Sequence, residues 1–267
     1  MSPIIEVKAL TKKYKKAKEL AVDNISFSVK KGEFFAFLGP NGAGKTTTIS
    51  ILTTTLAKTS GEIKIAGYDI EYQTKYIREK VGIIFQKPSL DKTLSAEENV
   101  RFHACLYGMY GYRPTFRMMP AVYRDRVMEL AEIVGIKDKL FQPVKKLSGG
   151  QQRKLEILRS LMHTPDILFL DEPTQGLDAV SRRALWEYID TVRKKQGTTI
   201  FLTTHYIDEA EKVDRLSVIN YGKIAFTGTP KQLKAVLPQQ PVMKLYEPSL
   251  EDAYVELLQK TGGTADE

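Results

Sequence analysis

The chain has 267 residues, of which 42% are hydrophobic and 27% are charged, so it is long enough to bury a full core. This composition excludes a collagen, a coiled coil and a disordered protein, and the single cysteine, Cys105, excludes an internal disulfide and a cysteine metal cluster. The net charge of +8 permits a nucleic acid, a polyphosphate or an acidic membrane surface as a partner, without choosing among them.

The N-terminal segment "MSPIIEVKAL" lacks the basic and then apolar layout of a signal peptide, and no apolar run approaches the roughly 20 residues that span a bilayer. We therefore expect a chain that stays in the cytoplasm. The segments "IIEVKAL", "AVDNISFSV" and "GEIKIAGYDI" alternate in a way that predicts half-exposed antiparallel strands. After the first of them, Tyr14 either stacks on the flat ring of a ligand or packs against a strand, and the residues alone favour neither.

The continuous apolar run "EFFAFLG" predicts a central strand that is buried on both faces. It leads into "GPNGAGKT" at residues 39–46, which fits the phosphate-loop pattern and precedes a helix-like stretch. In such a loop the backbone N–H groups face the phosphates, Lys45 reaches the β and γ phosphates, and the Thr46 hydroxyl ligates Mg²⁺. The predicted nucleotide contacts are Gly39, Pro40, Asn41, Gly42, Ala43, Gly44, Lys45, Thr46 and Thr47.

Gln86 lies after an apolar run, and its neutral amide either touches Mg²⁺ or water or is an ordinary loop residue. The residues that follow, from about 95 to 146, show no strand-like alternation. "SAEENVRFHACLYGM" begins with a capping box of Ser95 and Glu98, and "YRDRVMELAEIVG" repeats apolar residues at helix spacing. These patterns predict an α-helical subdomain inserted at about residues 92–150. The link "GYRPTFRMMP" between its helices either packs locally or contacts a partner protein.

A second glycine turn, "LSGGQQ" at residues 147–152, precedes another helix-like stretch but has no lysine behind it. Ser148 can cap that helix, and Gly149 and Gly150 let its first N–H groups approach an anion closely. Because the upstream loop already has its own lysine, we interpret this turn as half of a site.

Two later apolar runs end in polar side chains. "ILFLDEP" ends in Asp171, whose carboxylate would lie beside the metal, and in Glu172, which would take a proton from the attacking water. "TIFLTTH" ends at His205, whose imidazole either hydrogen-bonds the γ-phosphate or has a structural role. Each run follows a helix-like stretch, which predicts parallel βαβ construction. The expected fold class is therefore α/β.

The end of the chain carries two further helix-like segments, "GTPKQLKAVL" and "EPSLEDAYVELLQK". We expect one ATPase-type domain at residues 1–235, which includes the inserted helices, and a short C-terminal extension at residues 236–267.

Taken in order, these motifs resemble those of the ATP-binding subunit of an ABC transporter over residues 4–235. The correspondence is "GPNGAGKT" as Walker A, "FQ" as Q-loop, "LSGGQ" as signature, "ILFLDEP" as Walker B, "GLD" as D-loop and "TTH" as H-loop. The resemblance implies a P-loop NTPase core with a mostly parallel sheet, an N-terminal antiparallel β-subdomain, and hydrolysis of ATP with Mg²⁺. It also implies that Lys45, Thr46, Gln86, Asp171, Glu172 and His205 have the roles given above, and that Tyr14 stacks on adenine.

The resemblance further implies that two ATPase subunits meet head to tail, so that one subunit acts on the ATP of the other. The residues concerned are Leu147, Ser148, Gly149, Gly150, Gln151 and Asp178. Segments such as "SRRALWEYI" and "PSLEDAYVELL" resemble exporters of drugs and antibiotics whose membrane part is a separate chain. This implies a transmembrane permease subunit as partner, a peripheral location at the cytoplasmic face of the cell membrane, and no nucleic acid.

The chain departs from the family pattern at Gln175, where a small residue is usual, at Ala179 and Val180, and in a longer "GYRPTFRMMP" link. Other functions stay open at this point. A soluble ABC-type ATPase in DNA repair, translation or cofactor assembly would share the ATP motifs, although the chain has neither a long coiled coil nor a second cassette. A nucleotide kinase would leave "LSGGQ" without a purpose, and import remains open beside export.

Overall fold

The structure is a computed structural model that describes residues 3–15, 17–86, 89–177 and 179–236. The chain forms two compact units, Met1–Leu233 and Lys234–Glu267. The predicted helix in "EPSLEDAYVELLQK" and the D-loop residue Asp178 lie outside the described residues. Within the described part of the chain, every helix is too short or too polar to cross a bilayer.

Strands and helices alternate through most of the first unit. The strands are β1 (Ile5–Lys12), β2 (Val22–Val29), β3 (Phe34–Leu38), β4 (Ser60–Ile65), β5 (Tyr68–Asp69), β6 (Val81–Ile84), β7 (Ile167–Asp171), β8 (Thr199–Thr204), β9 (Arg215–Asn220) and β10 (Lys223–Gly228). The helices are α1 (Lys45–Leu52), α2 (Thr74–Lys80), α3 (Ala96–Leu106), α4 (Ala121–Ile133), α5 (Gly149–Leu161), α6 (Ala179–Gln196), α7 (Ile207–Ala210) and α8 (Pro230–Lys234).

The N-terminal strands form the predicted antiparallel sheet, in the order β2-β1-β4-β5. The alternation read from the sequence is confirmed, because buried and more exposed side chains alternate along the second half of β4 and through much of β2. β1 and β2 are neighbouring antiparallel strands, so the basic segment around Tyr14 is the loop of a hairpin.

The second sheet has the order β10-β9-β3-β8-β7-β6, and its neighbouring strands are parallel except for β10 and β9. The predicted central strand β3 lies between β9 and β8, and four of its five side chains are buried. Leu38 at the end of β3 pairs with Thr204, and Asp171 at the end of β7 pairs with Thr203. The carboxyl ends of three adjacent strands therefore meet at one edge.

Two hydrophobic layers cover the two faces of this sheet. Alternate side chains of β3 point to opposite faces, so Phe35 and Phe37 join one layer while Phe34 and Ala36 join the other. Between the two sheets lies a cluster of aromatic rings with neighbouring centroids 4.8–6.0 Å apart: Phe27, Phe35, Phe37, Phe169 and Phe201. This packing attaches the antiparallel sheet to the core.

The inserted helical segment predicted from the sequence is present as α3, α4 and the start of α5, between β6 and β7. The capping box of Ser95 and Glu98 is confirmed at the start of α3. In the link before α4, Met119 is buried and Phe116 packs its ring edge-on against the buried ring of Tyr123, while Met118 is exposed. Local packing therefore accounts for two of the three apolar side chains of this link.

Candidate functional site

The phosphate loop connects β3 to α1, and the packing of the loop itself requires two of its glycines. A Cβ on Gly39 would lie 2.1 Å from the carbonyl oxygen of Ile219 in β9. Gly44, which precedes α1, has φ +105°, and a Cβ there would lie 2.5 Å from the carbonyl oxygen of Ala21. Only glycine fits at both positions, because the backbone of the loop lies directly against the backbone of its neighbours. These close contacts fix the path of the loop and the direction of the N-terminus of α1.

Lys45 is the first residue of α1 and is 4% exposed. Its ammonium donates to the carbonyl oxygens of Gly39 at 2.7 Å and Pro40 at 3.0 Å, and it lies 3.3 Å from the Glu172 carboxylate. The buried positive charge thus has three oxygen partners, as a charge out of water requires. A phosphate oxygen at this point would compete with Glu172 for the ammonium.

Asp171 ends β7 and is almost fully buried. Its Oδ1 accepts hydrogen bonds from the hydroxyls of Thr203 at 2.5 Å and Thr46 at 3.3 Å. Burial raises the pKa of the Asp171 carboxyl above its ordinary value and neighbouring Glu172 adds to the increase, while the two hydroxyls oppose it. The pairing of β7 with β8 brings Thr203 to this position, a residue that the sequence motifs do not single out.

Glu172 is 5% exposed and has φ 44°, which is unusual for a residue with a side chain. Its N–H donates to the carbonyl of Thr203 at 3.0 Å, which holds the sharp turn after β7. The carboxylate lies 3.3 Å from Nδ1 of His205, in a geometry that is not a hydrogen bond, and accepts from Gln86 at 3.3 Å. Strained backbone of this kind clusters at functional sites.

Lys45, Gln86 and Glu172 line a cleft of about 260 Å³. Its walls include Asn41, Gly42, Lys45, Thr46, Thr47, Gln86 and Glu172. Tyr14 lies at the side of Thr47, with the two hydroxyl oxygens 3.3 Å apart and the tyrosine 43% exposed. The fold therefore brings together the predicted residues of β3, α1, β7 and the loop after β6.

The oxygen atoms in this cleft fit a small divalent cation. The hydroxyl of Thr46 and the carboxylate of Asp171 already lie within 3.3 Å of each other, and the amide of Gln86 borders the same cleft. Hard oxygen ligands of this kind, completed by water and phosphate, are those that Mg²⁺ prefers.

The second glycine turn, at residues 147–152, lies outside the lining of this cleft. Ser148 caps α5 as predicted, with its hydroxyl accepting from the N–H of Gln151 at 3.3 Å and the Gln151 side chain accepting from the Ser148 N–H at 3.0 Å. Leu147 is buried, Ser148 and Gly149 are exposed, and Gly150 and Gln151 are partly exposed. Of the described residues 147–151, none lines the cleft around Lys45.

Arg153, one turn into α5, contacts two loops of the site and was not predicted. Its guanidinium donates to the carbonyl oxygens of Phe85 at 2.5 Å and Pro173 at 2.9 Å, and to Glu156 at 2.9 Å. The residue is 5% exposed. The spacing of Arg153 and Glu156 indicates a pair on one helix face, but nothing in the sequence indicates contacts to carbonyls 68 and 20 residues away.

Glu209 is a second buried charge that the motifs missed. Its carboxylate accepts from the hydroxyl of Thr204 at 2.6 Å and from that of Thr174, and all three residues are at most 3% exposed. Thr204 also accepts from the N–H of Tyr206, so the turn that carries His205 is hydrogen-bonded to the turn that carries Glu172.

Comparisons with known proteins give one family. The family model described as ABC transporter matches residues 22–175. The chain is 38% identical over 257 residues to the probable multidrug ABC transporter ATP-binding protein YbhF of Escherichia coli (strain K12), an alignment that covers 96% of this chain and 42% of that protein. It is 38% identical over 233 residues to the Nod factor export ATP-binding protein I of Ralstonia nicotianae, which covers 87% of this chain and 69% of that protein.

Among solved structures, the fold is similar to the dimeric post-hydrolysis state of the ATP-binding cassette MJ0796 bound to ADP and phosphate, with a TM-score of 0.75 and 26% sequence identity. The match covers 85% of this chain and 98% of that chain. The chain thus corresponds to nearly the whole of a single cassette, although it spans only 42% of the length of YbhF.

Proposed function

The chain belongs to the ABC transporter family, and on this premise we propose that it is an ATP-binding and ATP-hydrolysing subunit that powers export through separate transmembrane subunits. The observation that carries the proposal is the cleft in which Lys45, Thr46 and Glu172 meet at the ends of β3 and β7. It combines the buried ammonium of Lys45, the hydroxyl of Thr46 and the carboxylate of Glu172, which are groups that phosphoryl transfer to water uses.

Binding of ATP uses the loop residues 39–47. The N–H groups at the start of α1 face the phosphates, and Lys45 exchanges its contact with Glu172 for the β and γ phosphate oxygens. Tyr14 supplies a ring beside Thr47 for the adenine. When bound, Mg²⁺ supplies charge that neutralises the β and γ phosphate oxygens, and Thr46, Asp171 and Gln86 are the residues that would hold it.

Hydrolysis uses the carboxylate that Lys45 releases. Glu172 accepts a proton from a water molecule as the water oxygen bonds to the γ-phosphorus, and the bond to the β-phosphate oxygen breaks to leave ADP. His205 lies within 3.3 Å of Glu172 and is 28% exposed, so its imidazole can donate to the γ-phosphate from the side of the base. The turn around His205 is held by Glu209 through Thr204.

The assembly that we propose is a dimer of ATPase subunits, identical or related. Ser148, Gly149 and the first N–H groups of α5 form an exposed helix N-terminus that lines no part of the chain's own cleft. Residues 147–151 and Asp178 would act on the ATP held by the partner's Lys45. The relative from Ralstonia nicotianae is named for export and YbhF for multidrug transport, which supports export and a permease partner at the cytoplasmic face of a membrane. The soluble ABC-type alternative gains no support from these relatives.

Binding and hydrolysis by the purified chain test this function. We expect Mg²⁺-dependent ATP hydrolysis, and we expect Lys45→Ala to weaken ATP binding about ten-fold or more, because a charge-assisted hydrogen bond contributes about 1.5–3 kcal/mol. ATP affinity is measured by equilibrium titration. An unchanged affinity in Lys45→Ala would refute the assignment of the site, and copurification with a soluble partner or nucleic acid in place of a membrane chain would refute the transport role.

A further inference from the structure

Two glutamines meet at the edge of the cleft. The side-chain nitrogen of Gln86 donates to the amide oxygen of Gln175 at 2.7 Å and to the carboxylate of Glu172 at 3.3 Å. Gln86 lies in the loop after β6, whereas Gln175 lies in the turn after β7, three residues beyond Glu172. Gln175 is one of the departures from the family pattern, where a small residue is usual, so a contact through its side chain is not supplied by that pattern.

The backbone near each glutamine is held by the same side chain. Arg153 donates to the carbonyl of Phe85, the residue before Gln86, and to the carbonyl of Pro173, two residues before Gln175. Arg153 is buried, and Glu156 and the two carbonyl oxygens are its partners. One planar guanidinium therefore holds the loop after β6 and the turn after β7 next to each other. The short Gln86–Gln175 hydrogen bond joins the same two segments.

The direction of this hydrogen bond decides which end of the Gln86 amide is held by neighbouring side chains. A primary amide has two N–H donors on nitrogen and acceptor lone pairs on oxygen. Both contacts of Gln86 use the nitrogen, and among the described residues the oxygen accepts no hydrogen bond. The oxygen is the end that would ligate Mg²⁺, because hard cations take oxygen and not N–H groups as ligands.

We propose that Gln175 is a positioning residue that orients the Gln86 amide with its oxygen free for the metal of bound Mg²⁺–ATP. The proposal rests on the proposed function and concerns only the orientation of the Gln86 side chain as a ligand of the metal. Without Gln175, Glu172 alone retains the nitrogen end, through a longer hydrogen bond. Glu172 must also be available to water during hydrolysis, so Gln175 keeps the amide oriented when that contact is lost.

The test compares two substitutions of similar length. Gln175→Met removes the acceptor oxygen, and Gln175→Glu retains one. The readout is the equilibrium affinity for Mn²⁺, measured by electron paramagnetic resonance of the full chain saturated with a non-hydrolysable ATP analogue. We expect the Mn²⁺ Kd to rise about five-fold in Gln175→Met, the effect of one hydrogen bond, and to stay at or below the wild-type value in Gln175→Glu.

A second readout separates this proposal from the function on which it rests. Affinity for the same analogue in the presence of EDTA should be equal in wild type and in Gln175→Met, because the hydrogen bonds and ion pairs of the described residues join Gln175 to Gln86 and not to Lys45 or the phosphate loop. An unchanged or lower Mn²⁺ Kd in Gln175→Met would overturn the positioning role, the lower value showing that Gln175 withholds Gln86 from the metal. Failure of the wild-type chain to bind the analogue at all would instead overturn the proposed function.

Discussion

Lys45 and Glu172 form a buried ion pair in which each charge also has a role in the reaction that we propose. The ammonium is held at one end by two loop carbonyls, and the carboxylate is its third partner at 3.3 Å. Neither charge can be left alone in this environment without a cost of several kcal/mol. In the proposed function, a phosphate that takes the Lys45 ammonium would free the Glu172 carboxylate at the same moment, so nucleotide binding would make the proposed base available.

The first prediction concerns that base. We expect Glu172→Gln to lower the rate of ATP hydrolysis at least about 100-fold, because the amide cannot accept the proton of water. ATP affinity should be retained or increased, since the phosphate no longer competes with a carboxylate for Lys45. Turnover is measured by phosphate release and affinity by titration. Glu187→Gln, at an exposed position on α6, is the control, and hydrolysis near the wild-type rate in Glu172→Gln would remove Glu172 from the role of base.

The second prediction at this scale concerns pH. Burial lowers the pKa of His103 from its ordinary value to about 3, and Arg159 and His163 add to the decrease. The ring packs at a tilt against Tyr107, with centroids 4.3 Å apart, and Tyr107 stacks in turn on His163 with centroids 4.7 Å apart. Burial also lowers the pKa of His163. The folded state therefore binds fewer protons than the unfolded state below about pH 6.5.

It follows that the stability supplied by the neutral imidazoles is complete above about pH 6.5 and is lost as the pH falls towards 3. For one histidine, the loss between pH 7 and pH 5 is at most about 2 kcal/mol. His103→Phe keeps an aromatic ring beside Tyr107 but does not titrate, so its urea midpoint should fall less than that of the wild type over this range. Equal pH dependence of the two midpoints would show that His103 makes no contribution.

At the scale of elements, α5 connects the inserted helices to the site. Its N-terminus carries Ser148, and its next turn carries Arg153, which donates to the loops after β6 and β7. Glu156 on the same helix accepts from the N–H of Ser89, further along the loop after β6. A displacement of α5 would therefore move the loop that carries Gln86.

We predict that Arg153→Met destabilises the chain by about 3–5 kcal/mol, because it leaves the buried Glu156 and two carbonyl oxygens without their partner. Urea denaturation measures the loss. The matched control is Arg183→Met, which removes an arginine from an exposed pair with Glu187 and should cost at most about 0.5 kcal/mol. Equal losses in the two variants would mean that the Arg153 contacts do not stabilise the fold.

The elements that carry local patterns were predictable from the sequence. The run before the phosphate loop is β3, the capping box begins α3, and Ser148 begins α5, because each signal lies within a few consecutive residues. The strands β9 and β10 were not singled out. β9 pairs in parallel with β3 from nearly two hundred residues away, and its carbonyl at Ile219 explains why Gly39 has no side chain.

Gln175, Thr203 and Thr174 could not be predicted as site residues either, because their contacts are with residues far away in the sequence. Gln175 contacts a residue 89 positions away, Thr203 contacts one 32 positions away, and Thr174 contacts one 35 positions away. Motif spacing identifies the residues at the end of a single strand, whereas these contacts depend on which strands are neighbours. The order β8-β7-β6 brings them together.

At the scale of the whole molecule, the described residues place the cleft around Lys45 at one point of the chain and the exposed N-terminus of α5 at another, outside the lining of that cleft. A Cβ on Gly149 would meet no atom within 4 Å, so the packing of the chain itself does not require a glycine there. Gly39, by contrast, is required by its neighbours in the same chain. A glycine that its own chain does not need supports the proposal that a second subunit approaches this turn.

The last prediction rests on that contrast. Ser148→Ala should leave ATP binding by the monomer unchanged and abolish ATP-driven dimerisation, because Ser148 would contact only the nucleotide held by the partner. Loss of the helix cap by itself costs about 1 kcal/mol, and Ser95→Ala, which removes the same capping box from α3, is the matched control. Dimerisation is measured by light scattering in the Glu172→Gln background, where ATP persists. If Ser95→Ala also prevents the dimer, the defect is one of helix stability; if Ser148→Ala loses monomer binding, Ser148 acts on its own nucleotide and the head-to-tail dimer is wrong.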